Sequence, residues 1–367
     1  MGASAAGLAT AACLQRMREP AVVLEQADRV GAAWRGHYDR LQLHTDRARS
    51  GLPHRPMPGS YPRYPSRDQV VAYLEDYAAH FGIEPRFGER VTSIRRVAGS
   101  WRVTTTGSRY LAESVVVATG YTRVPNVATF PGRDEFAGEV LHSSEYSSGA
   151  RFRGRRVLVV GFGNSGGEIA IELHEHGAVP TLAVRGPVNV IPREILGVPI
   201  LALGIAMRRL PAAVADALAR SLLQVTVGNL EKLGLRRLPY GPNRQIRENG
   251  RIPLIDVGTL ALIRQGAIAV RPGVERFTET GVAFSGGADE PFDAVVLATG
   301  YRPGLADFLE PASEVTGATG APIASGRETL PGLYFCGFYV SPTGMLREIA
   351  IEARRIARSI AATDRKT

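Results

Sequence analysis

Six consecutive residues, Gly161-Phe162-Gly163-Asn164-Ser165-Gly166, carry the clearest chemistry in this chain. An apolar run of strand length at 157–160 precedes them, and residues 167–173 repeat apolar positions on a helical period. A G-x-G-x-x-G between a strand and a helix cradles a dinucleotide pyrophosphate. The first glycine permits the tight turn, the second lets the phosphates approach the backbone, and the third lets helix and strand pack closely. The helix start adds free N–H groups and the positive end of the helix dipole. A glycine-rich structural turn is the bland alternative. Arg185 ends the next apolar strand, 180–184. An acid at that point accepts from a ribose 2′-hydroxyl, whereas an arginine pairs with a 2′-phosphate, so NADPH is expected over NADH. A surface arginine that happens to end a strand is the other reading.

The elements that would position such a site recur along the chain. It opens on Gly2-Ala3-Ser4-Ala5-Ala6-Gly7, followed by a helical run, 8–18, and a strand, 21–25, that ends in Glu25. This is a second dinucleotide fingerprint, with Glu25 placed to accept ribose hydroxyls. It departs from the pattern twice: Ser4 stands where the middle glycine belongs, and no strand precedes Gly2. In a doubly wound sheet that strand is central. The preferred expectation is a start further upstream, adding a Val/Ile-rich strand; a truncated chain that folds less well is the alternative.

Downstream, Ser66 and Gln69 have capping-box spacing, so a helix is expected through about Phe81, with Gly82 as its stop. Short strands are expected at 90–96, 101–106 and 115–118, and the last runs into Ala118-Thr119-Gly120-Tyr121. The same words return at Ala298-Thr299-Gly300-Tyr301 after an apolar run. Two copies of strand-Ala-Thr-Gly-Tyr, each following a nucleotide motif, imply two related folds and mark where the chain crosses between them. Residues 195–235 are apolar and helix-rich, open to readings as core, substrate passage or membrane contact. A late strand at 333–337 and a closing helix, 345–360, complete the chain. Arg347, Arg354, Arg355 and Arg358 on that helix read as a solvated face.

Composition limits the possibilities. With 367 residues, two domains are expected. The net charge of +9 comes from scattered arginines without an aromatic-interleaved basic stretch, so no nucleic-acid partner is expected. Only Cys13 and Cys336 are present, far apart, which argues against a disulfide framework, a zinc site or a dithiol pair. No metal is expected. The N-terminus lacks a signal-peptide pattern, and the longest apolar stretch, near 198–207, is about half a membrane span. A cytoplasmic protein with no transmembrane segment is expected, without peripheral membrane contact; its oligomeric state is open.

Phe136-x-Gly138-x-x-x-His142-x-x-x-Tyr146, just ahead of Gly161, resembles the F-x-G-x-x-x-H-x-x-x-[FY] signature of class B flavin-dependent monooxygenases. Further stretches are similar to the YUCCA branch of that family: residues 64–69, 161–166 and 190–194, Gly241-Pro242, and Ile252-Pro253-Leu254-Ile255-Asp256-Val257-Gly258-Thr259. The resemblance spans almost the whole chain. It implies an α/β protein of two Rossmann-like dinucleotide-binding domains, with an NADPH domain (150–290) inserted in an FAD domain made of residues 1–125 and 291–367.

By matching positions, Gly2, Ser4, Gly7 and Glu25 would hold the FAD adenosine diphosphate. Trp34, Leu43, His44 and Gly337 would lie near the flavin. Gly161, Gly163, Asn164, Ser165, Gly166 and Arg185 would hold NADPH, and Gly120 and Gly300 close the two Ala-Thr-Gly segments. His142 and Tyr146 are the only candidates for moving protons, against a plain role in tying the fold together. The resemblance further implies reduction of the flavin by NADPH and oxygen activation as a C4a-(hydro)peroxyflavin. Its anion would attack a carbonyl, with decarboxylation of a 2-oxo acid, whereas the neutral form would oxygenate nitrogen or sulfur. An NADPH oxidase or reductase that releases hydrogen peroxide, and a non-catalytic nucleotide-binding protein, are the competing readings.

Overall fold

The computed structural model describes residues 1–287 and 289–364. They form two compact units, and the chain visits them in turn. Of these, the first comprises residues 1–35, 45–124 and 301–364, and the second residues 36–44, 125–287 and 289–300. The sequence reading placed its boundaries at 125, 150 and 290. The second unit also takes in a short early loop and the stretches 126–149 and 291–300, because their strands pair inside it.

The second unit is built on a five-stranded parallel sheet. Arg156–Val160 lies between Val179–Ala183 and Ala294–Leu297. Ala269–Arg271 extends one edge and Glu139–His142 the other. The central strand is fully buried over Val157–Val160, so its side chains are apolar on both faces. Helix Asn164–Glu175 packs on one face, with Ile169, Ala170 and Leu173 completely buried. A three-stranded antiparallel sheet, Val274–Thr278, Gly281–Phe284 and Asp289–Pro291, belongs to the same unit. Phe277 and Phe284 of this sheet join Leu158, Val295 and Leu297 in one core cluster.

The apolar 195–235 region forms helices Ile200–Ala206 and Ala212–Val227. Ala215, Leu223 and Val227 of the longer helix are buried, whereas Val214, Leu218 and Val225 face solvent. The carboxylate of Asp216 on this helix accepts from the N–H groups of Asn243 (2.8 Å) and Arg244 (3.1 Å), capping helix Pro242–Asn249. A Cβ at Gly241 would collide with that carboxyl group, which explains the Gly241-Pro242 pair.

The first unit is built on a smaller, mixed three-stranded sheet. Strand Val115–Val117 pairs in parallel with Leu333–Phe335, which pairs antiparallel with Glu328–Leu330. Helix Ala5–Met17 packs on helix Met345–Asp364, and Ala353 and Ile356 of the latter are fully buried. The meander Val91–Val97, Ser100–Thr105 and Arg109–Ala112 covers the other side, with Trp101 buried and its indole N–H donating to the Pro331 carbonyl at 2.9 Å. Helix Arg67–His80 begins at Ser66 with the expected reciprocal capping box to Gln69. The strand expected at 21–25 survives only as a single bridge, Leu24 to Arg86. One side of it has almost no ladder partner, so the extended segment lacks the pairing that would define a strand.

Among the described residues, no helix is long and apolar enough to cross a membrane.

Candidate cofactor-binding sites

In the second unit the loop after strand Arg156–Val160 turns through Gly161, whose φ of +119° is reachable at little cost only by glycine. A Cβ there would strike the carbonyl oxygen of Ala298, and one on Gly166 would strike the carbonyl of Gly161. Both positions are therefore fixed by backbone crowding. Gly163 differs: nothing lies within 4 Å of where its Cβ would be. Its hydrogen is thus not needed for packing, and the space above it is open for a ligand to approach.

Gly163 is the N-cap of helix Asn164–Glu175, and no side chain caps that end. The first N–H groups of the helix remain available to an anion. Glycine loop, open middle position and uncapped helix start together fit a dinucleotide pyrophosphate. The Oδ1 of Asn164 accepts from the Ile255 N–H at 2.7 Å, tying the loop to strand Leu254–Asp256. Thr259 is buried, and with Leu254 it fills the space that a Cβ on Gly167 would need. The Ile252–Thr259 stretch thereby clamps the glycine helix. Asp256 Oδ1 holds the turn by accepting from Gly258 N–H and Leu260 N–H. Ser165 occupies the helix's first turn, and Arg185 lies exposed just past strand Val179–Ala183.

The first unit repeats the arrangement. A Cβ on Gly2 (φ +99°) would meet the carbonyl oxygen of Ala118, and one on Gly7 would strike the carbonyl of Gly2. Ser4 is the N-cap of helix Ala5–Met17, and its hydroxyl makes no cap bond, so this helix start is open too. The Glu25 carboxylate accepts from the N–H groups of Ala3 (2.6 Å) and Ala27 (2.9 Å), which places it at the mouth of the loop. This geometry fits the adenosine diphosphate end of FAD.

The repeated Ala-Thr-Gly-Tyr now has a physical account. Ala118 and Ala298 are the residues whose carbonyls press on the first glycine of each loop. The glycines that follow, Gly120 (φ +75°) and Gly300 (φ +85°), turn the chain with open space on their Cβ side.

Trp34 is half-buried in the short helix Ala32–Arg35 of the first unit. Gly337, in the same unit, follows strand Leu333–Phe335, and its N–H donates to Glu352 Oε2 at 2.6 Å. Burial pushes the Glu352 carboxyl above its ordinary range. Leu43 and His44 belong to the second unit. There His44 meets Glu168, a buried residue of the glycine helix that nothing in the motif singles out. One turn further on, burial likewise raises the carboxyl of Glu172.

His142 and Tyr146 are both inside the second unit. The Ser144 N–H donates to His142 Nδ1 (3.1 Å), so Nε2 carries the hydrogen and donates to the Gly300 carbonyl at 3.1 Å. With both ring nitrogens engaged and burial lowering its pKa, the imidazole is held neutral. Tyr146 is 1% exposed and stacks on Phe152 with ring centroids 6.0 Å apart. Burial and the nearby Glu172 raise its phenol far above the usual value.

Comparison with known proteins agrees with this geometry. The profile of the family described as FMO-like, flavin-binding monooxygenase-like, matches residues 1–316. A rice protein (Oryza sativa subsp. japonica) named indole-3-pyruvate monooxygenase YUCCA1 is 42% identical over 346 residues, covering 92% of this chain and 85% of the relative. An Arabidopsis thaliana protein named probable indole-3-pyruvate monooxygenase YUCCA1 is 40% identical, covering 92% and 84%. Among solved structures, a flavin-containing monooxygenase from Stenotrophomonas maltophilia superposes with a TM-score of 0.76 at 25% identity, over 99% of this chain and 97% of that one. The chain therefore belongs to the flavin-binding monooxygenase-like family, and it is a flavin-dependent monooxygenase.

Proposed function

We propose that the chain uses FAD and NADPH to oxygenate a small 2-oxo acid of the indole-3-pyruvate kind, with loss of its carboxyl group. Balanced, one 2-oxo acid, O2, NADPH and a proton yield a carboxylic acid one carbon shorter, CO2, water and NADP+. Bound FAD supplies the centre that accepts a hydride from NADPH and activates dioxygen.

The chain's own residues bind and orient. Helix Ala5–Met17 offers its open start to the FAD pyrophosphate, and Glu25 accepts from the ribose. Helix Asn164–Glu175 does the same for NADPH, while Arg185, exposed beyond strand Val179–Ala183, supplies the cation for the 2′-phosphate. His142 serves as a positioning residue: its neutral ring ties strand Glu139–His142 to the turn at Gly300. The proposed chemistry needs no side-chain nucleophile, because the cofactor carries it.

The repeat of the crowded first glycine and the open helix start in both units is the observation that carries the two-cofactor reading. The choice of a 2-oxo acid is supported by the names of the plant relatives. Anaerobic titration of the flavin-loaded protein tests the cofactor pair. NADPH should bleach the flavin absorbance at least 10-fold faster than equimolar NADH; equal rates would reject Arg185 as a phosphate reader.

A further inference from the structure

Among the described residues thirteen large apolar side chains are exposed, and six of them fall between residues 196 and 225. Scattered singly, such residues need no explanation; gathered on one element, they mark a contact surface. Four of the six, Val214, Leu218, Leu222 and Val225, recur along helix Ala212–Val227 at helical spacing and so share one face. Leu218 is 66% and Val225 83% exposed. The opposite face is occupied: Ala215, Leu223 and Val227 are buried, and Asp216 caps helix Pro242–Asn249. The helix is therefore apolar on both sides, a pattern that suits one covered on both sides. In the same stretch Leu196, at the tip of the hairpin of Glu194–Ile195 and Val198–Pro199, is 97% exposed with a φ of +49°. Neither packing nor turn geometry calls for leucine there.

Charge decides what covers the outer side. Between residues 196 and 230 the charged side chains are Arg208, Arg209, Asp216 and Arg220. The three arginines are exposed, and the one acid is turned inward to its cap. A second copy of this chain would meet the face badly. An antiparallel helix pair would set Arg220 near Arg220, with no exposed acid on the stretch to pair with either. An anionic bilayer surface suits both features, because its headgroups attract arginine and its acyl boundary takes up apolar side chains. The net charge of +9 adds a long-range attraction of the same sign. We propose that helix Ala212–Val227 docks the protein on an anionic lipid surface. Val214, Leu218, Leu222 and Val225 enter the boundary between headgroups and acyl chains, and Arg208, Arg209 and Arg220 supply the attraction to the headgroups. The sequence expectation of no peripheral membrane contact follows from the lack of a long apolar run. Length, however, governs spanning, whereas docking needs only one exposed apolar face.

The docking does not depend on which substrate is oxygenated. Flotation of the full chain with vesicles of phosphatidylglycerol and phosphatidylcholine, or of phosphatidylcholine alone, tests it. At low salt the parent protein should bind the mixed vesicles at least 10-fold more tightly than the neutral ones, and high salt should remove the difference. The double variant Leu218→Asp/Val225→Asp should weaken binding to mixed vesicles at least 10-fold with no fall in Tm, since both side chains lie outside the core. Arg208→Glu/Arg209→Glu, which leaves the apolar face intact, should lose the preference for anionic lipid. Equal binding of the parent to both kinds of vesicle, or undiminished binding by Leu218→Asp/Val225→Asp, would overturn the proposal. So would light scattering that finds a dimer of the parent split by the same two substitutions, because a second copy would then be what covers the face.

Discussion

His44 Nε2–H donates to Glu168 Oε1 at 2.5 Å, joining the loop at 36–44 to the helix that begins at Gly163. Glu168 is 3% exposed, so water offers its carboxylate little compensation if this imidazole is lost. Removing one member of a buried pair leaves the other uncompensated. Glu168→Ala should cost about 2 kcal/mol in urea unfolding, and Glu168→Gln, which keeps an acceptor, less than half as much. An alanine variant as stable as the parent would show that the contact carries no energy.

The glycine loop gives a paired prediction. Gly166→Ala forces a Cβ against the Gly161 carbonyl, so it should cost roughly 2–3 kcal/mol of stability. Gly163→Ala places its Cβ in open space and should cost about 1 kcal/mol or less, while raising the Kd for NADPH at least about 10-fold. Thermal melts and fluorescence titration separate the two. Intact NADPH binding by Gly163→Ala would mean that the pyrophosphate does not pass over that residue.

Arg185 is exposed beyond its strand and free to meet a phosphate. Arg185→Ser should raise the KM for NADPH roughly 10- to 100-fold, the worth of a charge-assisted hydrogen bond. The KM for NADH should change less than threefold. Steady-state kinetics with both nucleotides reads this directly, and parallel losses would argue for a structural role.

His142 links pH to stability. Its pKa in the folded protein lies below the ordinary 6.5 because burial disfavours the charged ring. Its contribution is complete above pH 6.5 and is lost as pH falls through the lowered folded value. Between pH 7 and pH 5 the protein should therefore lose stability, and His142→Gln should flatten that decline. Guanidinium midpoints at several pH values check it; an unchanged slope in the variant would contradict the assignment.

Much of this was legible in the residues themselves. Gly161, Gly163 and Gly166 announce their turn by type and spacing, and the Ser66/Gln69 box sets a helix start from local chemistry alone. The Ala-Thr-Gly-Tyr repeat marked two related folds, although its mechanical role, a carbonyl pressed against the first glycine, needs long-range packing to be seen. Glu168, Asp216 and Thr259 stayed hidden for the same reason. Each acts on a partner at least 27 positions away, and no local pattern distinguishes them from ordinary helix or turn residues. His142 read as a candidate proton carrier because its type permits that; only its two ring contacts show it held in place.

Coupling between NADPH and product tests the central claim most directly. With flavin-loaded protein and indole-3-pyruvate in air, the account predicts close to one molecule of the decarboxylated acid per NADPH consumed, and little hydrogen peroxide. NADPH consumption matched by peroxide, with no acid formed, would contradict it.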